Sequence, residues 1–124
     1  MTTTHARRKA LGDFGERLAA RRLNETGYSL LDRNWRCRDG EIDIVALDGD
    51  VLVVCEVKTR STVAFGTPLE AIDPVKAARL HRLGGRWLHA HPQFRPVSRI
   101  RVDVIAILRR RRGAADVEHL VGVV

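Results

Sequence analysis

Cysteine, aromatic residues and long apolar runs are all scarce in this chain of 124 residues. Two cysteines are too few for the disulfide framework of a small secreted domain, so we expect both to be reduced thiols. The longest apolar runs, 51–55 and 104–108, have five residues, whereas a membrane-spanning helix needs about 20. The basic N-terminus is not followed by the apolar segment of a secretory signal. Membrane-spanning and disulfide-rich classes are therefore excluded, and we expect a cytoplasmic protein.

The remaining composition is typical of a globular chain. Hydrophobic residues make up 44%, and proline and glycine are few, with 4 and 10 residues. Single hydrophobic cores are commonest at about 100–150 residues. We expect one domain over residues 1–124.

The charge is unevenly distributed. Lys and Arg outnumber Asp and Glu by 22 to 15, and most of the net +7 comes from residues 63–124, with 11 basic and 5 acidic side chains. Residues 39–56, in contrast, hold six acids and no Lys or Arg. A basic surface suits a polyanion, and a carboxylate cluster within it could hold a cation that the polyanion also needs. Alternatively, the excess of Arg over Lys, 19 to 3, reflects genomic base composition and the charges are merely solvated.

Periodicity and turn residues predict two helices and five strands. A proline-free segment, 5–26, stops at Gly27, which is typical of a helix with a glycine cap. Asp73-Pro74 is a typical start for a second helix over 75–90. Strands are predicted over 28–36, 41–47, 51–58, 99–108 and 117–124, with a loop over 59–72. The order α-β-β-β-α-β-β predicts an α/β fold with a mixed sheet flanked by helices.

The central hairpin gathers the acids. With a two-residue turn at Asp48-Gly49, facing residues have numbers that sum to 97, so Asp43 would face Val54 and Glu41 would face Glu56. The strand period of two then predicts one polar and one apolar face. The polar face would hold Glu41, Asp43, Glu56 and Lys58, and the apolar face Ile42, Ile44, Val53, Cys55 and Val57.

This geometry favours a metal site. Asp43 and Glu56 would be diagonal neighbours about 7–8 Å apart, close enough to share one cation. Two carboxylates, a carbonyl and water suit Mg²⁺, and Lys58 beside them could orient a water molecule and offset charge on a phosphate. Glu16 lies on a small apolar face of the first helix and could add a carboxylate. The alternative is an exposed hairpin with solvated charges.

These motifs resemble a known family. Glu16, Gly40-Glu41-Ile42-Asp43 and Glu56-Val57-Lys58 are similar to the YraN-like bacterial proteins, within the PD-(D/E)xK nuclease superfamily and similar to archaeal Holliday-junction resolvases. The resemblance covers roughly residues 12–108 and includes Phe65-Gly66, Lys76 and the segment 101–104. Ile42 stands where the superfamily's name has proline. The resemblance implies a restriction-endonuclease-like fold.

The resemblance also implies a function. It implies a Mg²⁺-dependent (or Mn²⁺-dependent) DNA endonuclease, with branched or flapped DNA among its substrates. Asp43 and Glu56 would be the metal ligands, Lys58 the catalytic lysine and Glu16 an auxiliary acid. A homodimer is expected because resolvases of similar fold cut paired strands symmetrically. The alternatives are a non-catalytic nucleic-acid-binding partner in DNA processing or uptake, and a metal phosphohydrolase acting on a small substrate.

Two further features bear on the partner and on the core. Basic residues recur three and four apart on the second helix and predict a phosphate track, with a solvated helix face as the alternative. With Arg60, these predicted nucleic-acid contacts are Lys76, Arg79, Arg82 and Arg86. Asp103 lies in an apolar strand after Arg101, and we favour a structural ion pair over a catalytic role for it.

Overall fold

The computed structural model describes residues 4–61 and 72–123, and this part of the chain forms two helices and five strands. In chain order they are α1 (Thr4–Glu25), β1 (Ser29–Cys37), β2 (Gly40–Asp48), β3 (Val51–Arg60), α2 (Pro74–Ala90), β4 (Arg99–Leu108) and β5 (Asp116–Leu120). A short 3₁₀ turn, Pro92–Phe94, follows α2. The predicted element order is confirmed.

The strands form one mixed sheet in the order β1-β2-β3-β4-β5. Three neighbouring pairs are antiparallel, and β3 with β4 is parallel. A parallel pair needs a long crossover connection, and α2 lies in that connection.

The two helices cover opposite faces of the sheet. Leu52 and Val54 pack with Trp87 of α2, while Val53 and Cys55 pack with Leu23 of α1. Successive residues of β3 therefore pack into two separate hydrophobic cores, one on each face of the sheet. For this reason β3 is apolar without interruption from Val51 to Cys55. The mixed sheet flanked by helices agrees with the restriction-endonuclease-like fold that the resemblance implies.

The helix boundaries follow the predicted signals. Gly27 has φ +93°, a conformation that favours glycine, and it is the second residue after the end of α1. The Asp73 side chain accepts a hydrogen bond from the Lys76 backbone N–H at 2.8 Å and so caps α2. On α1, a Cβ at Gly15 would overlap the Thr59 side chain, so this glycine lets the helix approach β3 closely.

The predicted register of the β2–β3 hairpin is wrong. Asp48 pairs with Val51, so the turn is Gly49-Asp50 and facing residues sum to 99. Val54 consequently faces Val45 and not Asp43. Gly49 has φ +62°, and a glycine with positive φ at the first central position is typical of a type II′ hairpin turn.

The predicted faces of β2 are also partly wrong. Ile44 packs on the α1 side as part of one core, but Ile42 packs on the α2 side with Val45. The strand therefore changes face between Ile42 and Ile44. Glu41 and Asp43 nevertheless both border one cleft between α1 and the sheet. The β2–β3 ladder stops at the pair Ile44–Cys55 although both strands continue, so the two strands separate at Asp43.

Two further predictions concern the segment between β3 and α2 and the absence of a membrane-spanning helix. The predicted loop 59–72, with Phe65 and Gly66, falls largely outside the described residues, and β3 extends through Arg60. Within the described ranges, neither helix is long and apolar enough to span a membrane.

Candidate functional site

Asp43 lies where β2 and β3 separate. Its Oδ2 accepts a hydrogen bond of 2.8 Å from the Val57 backbone N–H, which replaces a bond of the interrupted ladder. Glu56 is the next residue of β3 after the last pair, so it lies across from Asp43. Burial raises the pKa of Asp43, the Val57 hydrogen bond opposes this, and the charges of Glu56 and Glu16 add to the rise, so that the pKa is about 7. The site is thus a crowded group of carboxylates at a break in the sheet.

Glu16 brings a third carboxylate from α1. Its Oε1 is buried and has no hydrogen-bond partner within residues 4–61 and 72–123. Burial raises the pKa of Glu16, and the nearby positive charge of Arg33 partly opposes this. A buried carboxylate oxygen without a partner is rare and costly, because the group has lost its water without gaining a donor. A positive charge in this region would relieve that cost.

Two lysines, Lys58 and Lys76, lie close to these carboxylates. Lys76, in the first turn of α2, places its Nζ 3.4 Å from Glu56 Oε2. Burial lowers the pKa of Lys58 against the opposing charge of Glu56, and the adjacent Lys76 lowers it further. Lys58 and Glu56 are two residues apart on β3 and therefore share a face. Lys76 balances the charge of Glu56, and in the described part of the chain Asp43 and Glu16 are the two carboxylates of this group without an ion pair.

The carboxylates border a cleft of about 350 Å³ between the start of α1 and the sheet. Residues from three strands and the helix line it, among them Arg8, Gly12, Glu16, Asn34, Asp43 and Lys58. Glu56 is not part of this lining and lies behind Asp43, towards Lys76. The cleft is open on its outer side, so a ligand from solvent reaches Glu16, Asp43 and Lys58.

The donor set fits one hard divalent cation. Across residues 4–61 and 72–123, no three His, Cys, Asp or Glu side chains are grouped closely enough to hold a metal ion by themselves. Mg²⁺, however, is usually bound by one or two carboxylates, with water and phosphate oxygens as the other ligands. Asp43 and Glu56 supply the two carboxylates, and the raised pKa of Asp43 indicates a place where added positive charge would be stabilised.

The residues predicted to contact nucleic acid lie in different parts of the structure. Lys76 lies at the carboxylates, whereas Arg79, Arg82 and Arg86 line another cavity of about 200 Å³ together with Asp39. Arg86 is paired with Asp39 at 2.8 Å. Arg60 lies at the end of β3, where its carbonyl accepts the Arg109 N–H. Arg79, Arg82 and Arg86 thus lie outside the cleft lining, and their role as a phosphate track stays a prediction.

Comparison with known proteins assigns the chain to a family. Residues 15–107 match the family described as "Uncharacterised protein family UPF0102". The chain belongs to this family. A UPF0102 protein of Kineococcus radiotolerans is 60% identical over 120 residues, covering 96% of this chain and 98% of the relative.

Two further relatives agree with this assignment. One from Beutenbergia cavernae is 54% identical over 114 residues (92% and 95% covered), and one from Streptomyces coelicolor is 56% identical over 117 residues (94% and 89%). The matched range contains all four residues predicted to be catalytic: Glu16, Asp43, Glu56 and Lys58. The predicted resemblance to the YraN-like proteins is thereby confirmed at the level of the family.

Sequence reasoning missed two residues of the cleft, Arg8 and Asn34. Arg8 was detectable in principle, because it lies eight residues before Glu16 and two helical turns place both on one face. Asn34 carried no such signal. Its φ of +51° and its position in the cleft come from the β1–β2 pairing.

Proposed function

We propose that this protein is a metal-dependent nuclease that hydrolyses phosphodiester bonds of DNA, with Mg²⁺ or Mn²⁺ held by Asp43 and Glu56. The observation that carries the proposal is the proximity of three carboxylates and Lys58 at the break between β2 and β3. Glu16 Oε1 is buried there and has no partner among the residues that the structure describes. The net charge of +7 fits a polyanionic substrate.

Each residue has a definable task in this reaction. A bound divalent cation polarises a phosphoryl oxygen and lowers the pKa of water. The Lys58 ammonium orients the attacking water and offsets the charge that grows on the phosphate. Lys76 pairs with the Glu56 carboxylate, and the Val57 N–H holds Asp43 in one orientation.

Glu16 acts at the proton-transfer step. As the water oxygen bonds to phosphorus, the bond from phosphorus to the leaving oxygen breaks, the attacking water releases a proton, and the leaving oxygen takes up a proton from solvent water. Glu16, whose pKa is raised by burial, is better suited to accept the proton of the attacking water than a solvated glutamate.

Calorimetric titration of Mn²⁺ tests the metal site. We expect binding to wild type and to Lys58→Met, and no binding to Asp43→Ala or Glu56→Ala, because only the carboxylates contact the ion. Equal binding to all four proteins would refute the assignment.

A cleavage assay tests the activity and its substrate. Linear, single-stranded, flapped and four-way DNA, with RNA as a comparison, should be incubated with Mg²⁺ or Mn²⁺. Lys58→Met should lower cleavage by about two to three orders of magnitude, as expected when one preorganised charge is removed, with Glu16→Ala intermediate. If the wild type and these variants cleave alike, the activity does not come from this site.

A second candidate function is binding of nucleic acid without cleavage, in DNA processing or uptake. It is favoured by the exposed Arg79 and Arg82, which lie outside the cleft lining. Salt-dependent DNA binding by a protein that cleaves no member of the panel would support this alternative.

Sedimentation at micromolar concentration, with and without four-way DNA, tests the proposed homodimer, and a monomer under both conditions would contradict it.

A further inference from the structure

Asn34 has a left-handed backbone conformation and lines the cleft. With φ +51°, it is the one non-glycine residue of the described ranges with positive φ, although it lies within β1. Arg33 pairs with Ile44 and Trp35 pairs with Ile42, so Asn34 is opposite Asp43. Its exposed side chain lines the cleft. Left-handed backbone costs free energy in most residues, although asparagine tolerates it better than most.

Arg8 reaches the same cleft from α1. It lies on the helix face of Gly12 and Glu16, about 12 Å along the axis from Glu16. A Cβ at Gly12 would meet nothing within 4 Å, so the wall between Arg8 and Glu16 is open. Within the described part of the chain, Arg8 is in no ion pair. A guanidinium free to take an external anion thus stands at the mouth of a cleft with acids at its base.

The chemistry of these two groups selects the ligand. A guanidinium matches the oxygens of a phosphate in a bidentate geometry, and an amide N–H donates to the same oxygens without adding charge. Contacts of this kind hold a nucleic acid in place, while other groups act on the bond that is cut. We propose that Arg8 and Asn34 form a phosphate-binding subsite that holds a phosphodiester neighbouring the one cleaved. The subsite rests on the proposed nuclease function.

Matched variants separate this role from a structural one. Asn34→Gly removes the amide but adopts positive φ without strain, so the fold should keep its thermal midpoint. Arg8→Gln removes one charge from the cleft, and Arg7→Gln removes the same charge from the neighbouring helix position, which does not line the cleft. Affinity for a short DNA duplex is measured by fluorescence anisotropy at several salt concentrations in Ca²⁺, and cleavage separately in Mg²⁺ and Mn²⁺.

We expect Arg8→Gln to weaken binding about fivefold and to reduce the slope of log K against log salt by about 0.9, the value for one lost phosphate contact. Arg7→Gln should have a smaller effect on both. Asn34→Gly should weaken binding at an unchanged thermal midpoint, and Asn34→Asp should weaken it more because it adds a negative charge.

The outcomes distinguish the subsite from the nuclease. If Asn34→Gly and Arg8→Gln bind as tightly as wild type while wild type cleaves DNA, the subsite is refuted and the nuclease stands. If both variants weaken binding but wild type cleaves nothing, the nuclease is refuted, and Arg8 and Asn34 are phosphate contacts of a protein that binds DNA without cutting it. Equal effects of Arg7→Gln and Arg8→Gln overturn the role of Arg8, and a wild type that binds no DNA overturns both proposals.

Discussion

Two carboxylates of the same sheet, the buried Asp103 and the half-buried Asp43, have opposite surroundings. Asp103 on β4 is fully buried, and its carboxylate has hydrogen-bond partners on three described residues. Arg101 donates to it twice, at 2.9 and 3.0 Å, the Gly122 N–H donates at 3.0 Å, and His119 Nε2 lies 2.8 Å away. The predicted ion pair of Asp103 is confirmed.

Asp43 on β2 has one backbone donor and two acidic neighbours. Burial by itself would raise the pKa of Asp103, but hydrogen bonds from His119, Arg101 and Gly122 lower it below the ordinary value. Burial of Asp43 is not compensated in this way, and its pKa rises to about 7. Partners, and not burial, therefore separate a structural carboxylate from one that is available to a ligand.

The largest change in stability should come from removing the Asp103 carboxylate, whose hydrogen bonds are all made. Asp103→Asn leaves the buried Arg101 without its main partner, and we expect the free energy of unfolding to fall by about 3–5 kcal/mol. Urea denaturation followed by circular dichroism measures this. Asp43→Asn is the matched control and should not destabilise the protein. If both variants lose the same stability, the distinction between the two carboxylates is wrong.

A divalent cation should stabilise the protein through the carboxylates around Asp43 and not through Asp103. At a concentration one hundred times its Kd, Mn²⁺ should raise the free energy of unfolding of wild type by about 2.7 kcal/mol. The shift should vanish in Asp43→Ala, because a ligand is lost, and persist in Glu118→Ala, which removes an exposed acid of β5. Thermal scans with and without Mn²⁺ test this, and a shift retained in Asp43→Ala would contradict it.

Two glycines of α1 test how closely the helix must bring Glu16 to Asp43. Gly15→Ala should destabilise the protein by roughly 2 kcal/mol, because the added methyl group overlaps Thr59 and displaces the helix. Gly12→Ala should instead stabilise it by about 0.8 kcal/mol, since the methyl group meets no neighbour and alanine favours the helix. Chemical denaturation of both variants gives the comparison, and a loss of stability in Gly12→Ala would contradict the open wall of the cleft.

The smallest effect concerns pH. Because the folded-state pKa of Asp43 is about 7, above the ordinary 3.8, the folded metal-free protein holds a proton there that the unfolded chain releases between about pH 4 and 7. The free energy of unfolding should therefore fall across this window, and Asp43→Asn should remove roughly 1 kcal/mol of that fall after allowance for partial exposure.

Asp103 provides the opposite sign. Its lowered pKa makes its contribution to stability fully present above about pH 4 and lost as the pH falls further. Denaturation curves from pH 3 to 8 for wild type and Asp43→Asn separate the two contributions. Parallel curves from pH 4 to 7 would show that Asp43 titrates as an ordinary carboxylate.

Local patterns predicted much of this molecule. The β-branched runs of β2 and β3, the glycine after α1 and the cap of α2 depend on neighbouring residues, so they were readable from the chain. The spacing of Glu56 and Lys58 on β3 was readable for the same reason, because side chains two apart share a face.

The misplaced hairpin shows where such reading fails. Shifting the turn from Asp48-Gly49 to Gly49-Asp50 preserves the alternation of each strand, so hydrophobic pattern alone did not distinguish the two registers. The change of face at Ile42 depends on the Asp43 carboxylate, which takes the Val57 N–H in place of a strand partner. That competition exists only after the strands have met.

The sequence by itself determined the elements, the family and the carboxylates and lysine that the hairpin carries, because these depend on composition and on spacing along single segments. Only the tertiary structure decided what surrounds each charge: Arg101 and His119 at Asp103, Lys76 at Glu56, and Asn34 opposite Asp43. The physical reason is that the pKa and availability of a buried carboxylate depend on donors within a few ångströms, and the fold draws those donors from distant parts of the chain.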